Sequence, residues 1–151
     1  MQMNDSQRIP ASREKVWAAL NDPEILRQCI PGCQSLEITA PHEMTATVVF
    51  KVGPVKATFG GKVTLSDLDP PNGYRISGEG SGGVAGFAKG GATVKLTAEG
   101  ADVTILTYEV DAQIGGKLAQ LGSRLIDSTA KKLAGQFFES FGEVVGSAAV
   151  A

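Results

Sequence analysis

The chain has 151 residues with 14 basic and 16 acidic side chains, one histidine and two cysteines, a length that supports one hydrophobic core, so residues 1–151 are read as a single domain. Its charge is nearly balanced, with no like-charged run longer than Lys131-Lys132, which excludes the concentrated basic face that a nucleic-acid binder needs. No window approaches the roughly 18 apolar residues of a membrane span.

The opening "MQMNDSQRIP" has neither the basic start nor the apolar run of a signal peptide, so a cytoplasmic location is expected. Within it "NDSQRI" is a strand candidate. Ser12 then caps a short helix that carries Val16, Trp17 and Leu20 on one face. Asp22 caps a second, with Pro23 at the first helical position, where its missing N–H costs nothing. Cys29 and Cys33 bracket Pro31-Gly32. A bridge between them would close only a trivial loop, so a reduced pair is expected, and no further ligands accompany them for zinc.

Alternation dominates the middle of the chain. After Leu36, Ile38 and Ala40, the residues Met44, Ala46, Val48, Phe50 and Val52 point one way and their neighbours the other, the period of a strand with one buried face. Val55, Ala57, Phe59, Gly61, Val63 and Leu65 repeat it, with Gly60-Gly61 read as a bulge or bend. Further strands carry Tyr74 to Gly80, Ala92 to Ala98 and Leu106 to Ala112. Short turns between them imply an antiparallel meander. The final helix, about residues 115 to 145, would reach roughly 45 Å. Its stripe runs through Leu118, Leu121, Leu125, Thr129, Leu133, Phe137 and Phe141 at spacings of three and four.

Chemistry is sparse. His42 is alone in a turn, and no serine lies in a nucleophile-elbow context, so triads and histidine-rich metal sites are excluded. Glu79, Glu99, Glu109 and Asp111 fall on outward strand positions rather than in a water-poor pocket. "GEGSGG", Gly78 to Gly83, matches G-x-G-x-x-G, yet it heads into a strand instead of a helix, so it reads as a hairpin loop and not a dinucleotide site. No catalytic residue, metal or cofactor is expected. Lys117, Arg124 and Lys131, spaced seven apart, form a basic stripe that is either a solvated face or a docking surface for an acidic partner or anionic headgroups.

Packing says more. Ala46, Ala57, Gly61, Gly78, Gly80, Ala92, Ala98 and Ala112 all fall on inward positions, and a face this poor in bulk needs large residues opposite it to reach native density. The helix places its three phenylalanines in its last third. A cavity opposite its middle would take an apolar ligand; close helix–sheet approach is the alternative. The expected lining is Phe50, Phe59, Tyr74, Phe87 and Tyr108 from the sheet, with Phe87 as gate, and Leu121, Leu125 and Thr129 from the helix.

The order of strand, two short helices, six strands and long helix resembles the α+β helix-grip fold of the START-like (SRPBCC) superfamily, typified by birch-pollen allergens. It implies a curved antiparallel seven-stranded sheet around the C-terminal helix. Through "VWAALNDPEILRQCIPGCQSLE", "FKVGPVKATFGGKVTL", "GEGSGGVAGFAKGGATVKL" and "LGSRLIDSTAKKLAGQFFESF" the chain resembles the family of the carbon monoxide dehydrogenase CoxG protein over nearly its whole length. The resemblance implies an accessory protein that binds a hydrophobic molecule, menaquinone- or ubiquinone-like, beside a CO-dehydrogenase-type molybdenum hydroxylase, recruiting that enzyme to the membrane or delivering its electron acceptor, with at most peripheral membrane contact at the inner face. Longer members carry a hydrophobic anchoring tail. Here only "GSAAVA" follows Val145, too short to serve as one. The competing readings are a START-like cyclase or hydrolase and a ligand-free assembly factor.

Overall fold

The computed structural model describes residues 1–150, with side chains through Gly146; the rest of "GSAAVA" lies outside the described side chains. In chain order the elements are β1 (Gln2–Ile9), α1 (Arg13–Leu20), α2 (Pro23–Cys29), β2 (Cys33–Ala40), β3 (Glu43–Val52), β4 (Val55–Asp69), β5 (Gly73–Ser81), β6 (Phe87–Ala98), β7 (Thr104–Gly115) and α3 (Ser123–Val150). The strands form one antiparallel sheet in the order β1-β7-β6-β5-β4-β3-β2. A meander from β2 to β7 is thus completed by β1 at its far edge. This is the seven-stranded helix-grip arrangement expected from the sequence.

The caps work as anticipated. The Ser12 side chain accepts from the Lys15 amide and the Asp22 carboxylate from the Glu24 amide, each satisfying a donor the helix start leaves free. Two boundaries and one bulge differ from expectation. The final helix begins at Ser123, because Gly116 (φ 76°) and Gly122 (φ 94°) take left-handed conformations on either side of a single 3₁₀ turn. β6 begins at Phe87, five residues early, since "FAKGG" pairs in full with β5 and β7 although its bulk does not alternate. Pairing also runs in register through Gly60-Gly61. The bulge lies instead between Ser66 and Asp69, where Asp67 adopts φ 51°.

Two apolar clusters result. The larger joins α1, α2 and the C-terminal half of α3 to the sheet through Val16, Leu20, Leu26, Leu106, Phe141 and Val145. Aromatic contacts lock it: Trp17 meets Tyr74 edge-on with centroids 5.3 Å apart, and Phe138 stacks on Tyr108 at 5.3 Å. Phe137 stacks in turn on Phe141, which is fully buried. Thr104, fully buried, donates its hydroxyl to the Ala11 carbonyl at 2.8 Å, so it carries no unmet desolvation cost. The smaller cluster gathers Val52, Ala57, Phe59, Ala85 and Leu118, with Phe50, Leu121 and Leu125 packed against it.

Candidate functional site: an apolar cleft between sheet and helix

A cleft of about 470 Å³ separates the middle of the sheet from α3. The strand register explains its floor. Ala46, Gly61, Gly80 and Ala88 stand side by side on four consecutive strands, and Gly78, Gly90 and Ala112 form a second row. All seven border the cleft. Seven adjacent positions with at most a methyl group leave nothing to meet the helix.

The glycines also answer whether close helix–sheet approach uses up this space. A Cβ placed at Gly61 would stand 2.8 Å from the Glu79 carbonyl oxygen, one at Gly78 3.3 Å from that of Lys62, and one at Gly80 3.2 Å from that of Gly60; at Gly90 it would collide with the Asp111 carbonyl. The nearest atoms therefore belong to neighbouring strands and not to α3. Glycine is demanded here by the tightly curved sheet, and the helix side is left open.

Around this floor stand Val48, Phe50, Phe59, Val63, Ile76 and Val110 from the strands, Ile30 and Pro31 from the α2–β2 connection, and Leu133 from the helix. Lys62, Glu79 and Lys89 also border it, but they alternate to the outer face and are exposed, Lys62 reaching Glu43 at 3.2 Å. Among the described residues no ionisable side chain is buried on the cleft side. The surface is built for apolar contact, without a proton donor or acceptor placed for chemistry.

The eight lining residues expected from sequence fall in five places. Phe50 and Phe59 line the cleft. Tyr74 and Tyr108 stand in the larger cluster beneath Trp17 and Phe138, where burial pushes the Tyr74 phenol up to about 12 and raises that of Tyr108, with Asp5 adding to the shift and Gln7 opposing it. Leu121 and Leu125 pack in the smaller cluster, and Thr129 is half-buried one turn before Leu133. Phe87 opens β6, 51% exposed, and faces a groove on the outer side rather than the cleft. Sequence reasoning misses Leu133, Ile30 and Pro31. The inward alternation does mark Val48, Val63 and Ile76, which size alone ranks below the aromatics.

A wider outer groove of about 540 Å³ runs past Lys62, Arg75, Glu79, Lys89 and Asp111. These side chains are exposed to water, and Arg75 donates to the Thr93 hydroxyl at 3.0 Å. Nothing there is desolvated. Cys29 and Cys33 are free thiols, both raised by burial, and the described residues contain no cluster suited to a metal ion.

The family model for the carbon monoxide dehydrogenase CoxG protein matches residues 6–146. The chain belongs to the CoxG family. Among solved structures it resembles a conserved protein from Geobacillus kaustophilus at 32% identity, covering 97% of this chain and 96% of that one, with a TM-score of 0.92. A START superfamily protein from Mycobacterium smegmatis shares the fold at 17% identity and a TM-score of 0.66, over 98% and 96% of the two chains. So does the Zhui aromatase/cyclase from Streptomyces at 13% identity and 0.67, over 96% and 93%. No curated protein matches the sequence. No described helix of this CoxG-family chain is long and apolar enough to cross a membrane.

Proposed function

We propose that the protein binds an uncharged, apolar small molecule of quinone or lipid type in the cleft between sheet and helix and does not transform it. The observation that carries this reading is the floor of seven glycines and alanines beneath about 470 Å³ of space, a volume within the ~300–1,000 Å³ range of small-molecule sites. Membership of the CoxG family supports a role beside a CO-dehydrogenase-type molybdenum hydroxylase, in its recruitment or in delivery of its electron acceptor. The outer position of every ionisable group bordering the cleft argues against a cyclase or hydrolase, and the space itself argues against a ligand-free assembly factor.

Native mass spectrometry of protein purified without detergent, followed by extraction, tests the proposal. A co-purifying lipid or quinone, or saturable uptake of ubiquinone or menaquinone analogues by emptied protein, is expected. Repeated recovery of empty protein that takes up neither analogue overturns it.

A further inference from the structure

The shape and the polarity of the cleft together determine which part of a ligand it can hold. The first row of its floor, Ala46, Gly61, Gly80 and Ala88, crosses four strands and, at ~4.8 Å between strands, is about 14 Å long. The second row, Gly78, Gly90 and Ala112, lies two residues further along the strands, about 7 Å away. The smooth strip is therefore longer than it is wide and runs obliquely across the sheet. Its walls, Phe50, Val63, Ile76, Val110 and Leu133, are only half-buried, so they keep apolar surface for a ligand to cover.

No polar anchor accompanies this shape. The hydrogen-bonding side chains that border the space, Lys62, Glu79 and Lys89, stand on the outer face and are exposed. The other lining residues carry no side-chain donor or acceptor, and the amides and carbonyls of the floor strands are engaged with one another in the plane of the ladder. A ligand carbonyl or hydroxyl pressed against such a surface loses its water and gains no partner, which weakens binding roughly tenfold per group. A methylene laid on the same surface strengthens binding about fourfold.

We propose that the cleft recognises a hydrocarbon chain, isoprenoid or acyl, lying across the strands, and leaves the polar head of the same molecule in water. This selectivity rests on the binding function proposed above and adds a consequence to it. A site without a donor or acceptor does not distinguish a carbonyl from a hydroxyl strongly, so the oxidised and reduced forms of a quinone bind alike, and a chain with another small uncharged head competes with both. Gripping the ring by its two carbonyls would require N–H or O–H donors facing it, and the cleft presents none among the described side chains.

Displacement of a fluorescent apolar dye tests the proposal with four kinds of probe: decylubiquinone, its reduced form, the same ring without the chain, and straight-chain alcohols of increasing length. The two redox states should bind within about threefold of each other. The chainless ring should bind at least about a hundredfold more weakly than decylubiquinone, since it forfeits every chain methylene. The alcohols should tighten by about fourfold per methylene and stop tightening once the chain outgrows the floor. Ala88→Leu should weaken the alcohols and the quinone by the same factor, because both lie on one floor. A chainless ring as tight as decylubiquinone, a preference of more than about tenfold for one redox state, or rejection of every alcohol overturns this selectivity and leaves the binding function standing. Failure of all four kinds of probe to bind overturns both.

Discussion

Phe50 and Phe59 stack diagonally across β3 and β4, ring centroids 5.0 Å apart and planes 29° apart, and the pair belongs both to the wall of the cleft and to the smaller apolar cluster. Substitutions around this pair should therefore separate binding from stability. Phe59→Ala removes a buried ring and is expected to cost ~3–5 kcal/mol while weakening the uptake of an apolar probe. Ala88→Leu, which adds bulk to the cleft floor, should weaken uptake by a similar factor while leaving stability unchanged or raising it by ~0.5–2 kcal/mol, as cavity filling does. Urea denaturation and probe titration on the two variants check both signs. Equal destabilisation by Ala88→Leu would mean that the floor is already packed.

The two ends of the α3 stripe should respond differently to truncation. Phe141 is fully buried between Phe137 and the larger cluster, so Phe141→Ala is expected to cost ~3–5 kcal/mol. Leu133 borders open space, and Leu133→Ala should cost less than half as much, because little of its surface has packed neighbours to lose. The difference between their urea midpoints measures how far the helix stands off the sheet.

Glycines of the same sheet should differ as sharply. Gly90→Ala drives a methyl group into the Asp111 carbonyl and is expected to destabilise by more than ~2 kcal/mol. Gly60→Ala meets nothing within 4 Å and has no left-handed backbone to strain. It should be neutral or stabilising by up to ~1 kcal/mol, through a smaller unfolded-state entropy. Thermal melts of the pair suffice.

Alkaline pH should weaken the fold through Tyr74. Burial raises its phenol from 10.0 to about 12, so the contribution is fully present below pH 10 and is lost as pH rises through 12: between those values the unfolded chain releases a proton that the folded one keeps. Stability should then fall by up to ~1.4 kcal/mol per pH unit from this group. Tyr74→Phe, which keeps the contact with Trp17, should flatten that part of the profile. An unchanged slope in urea midpoints from pH 9 to 11.5 would place the loss elsewhere.

Period-two alternation is enough to read six strands, and cap residues Ser12 and Asp22 enough to place two helices. The start of α3 is not legible, because Leu118, Leu121 and Leu125 continue the helical spacing straight through Gly116 and Gly122, whose backbone breaks it. The cleft is legible as a deficit of bulk on inward positions, a property of the strands alone. Its walls are harder. Tyr74 and Tyr108 have the right period and size, but Trp17 and Phe138 arrive from separate helices to claim them, and no local pattern encodes which ring meets which. Leu133 lies one helical turn beyond Thr129, the offset that follows when a helix start is misplaced and its docking height is unknown.

The division of the interior into two clusters has a dynamic consequence. The smaller one is fastened by hairpin and 3₁₀ turns around Val52, Ala57, Ala85 and Leu118, and it shares no buried residue with the larger. Local opening there should cost less than global unfolding, so amide protons of residues 52–59 and 85–86 are expected to exchange with deuterium faster than those of Leu96, Leu106 and Tyr108. A molecule too bulky to slip past Phe50 and Phe59 could then be loaded through a breathing cap while the Phe141 end of the protein stays shut.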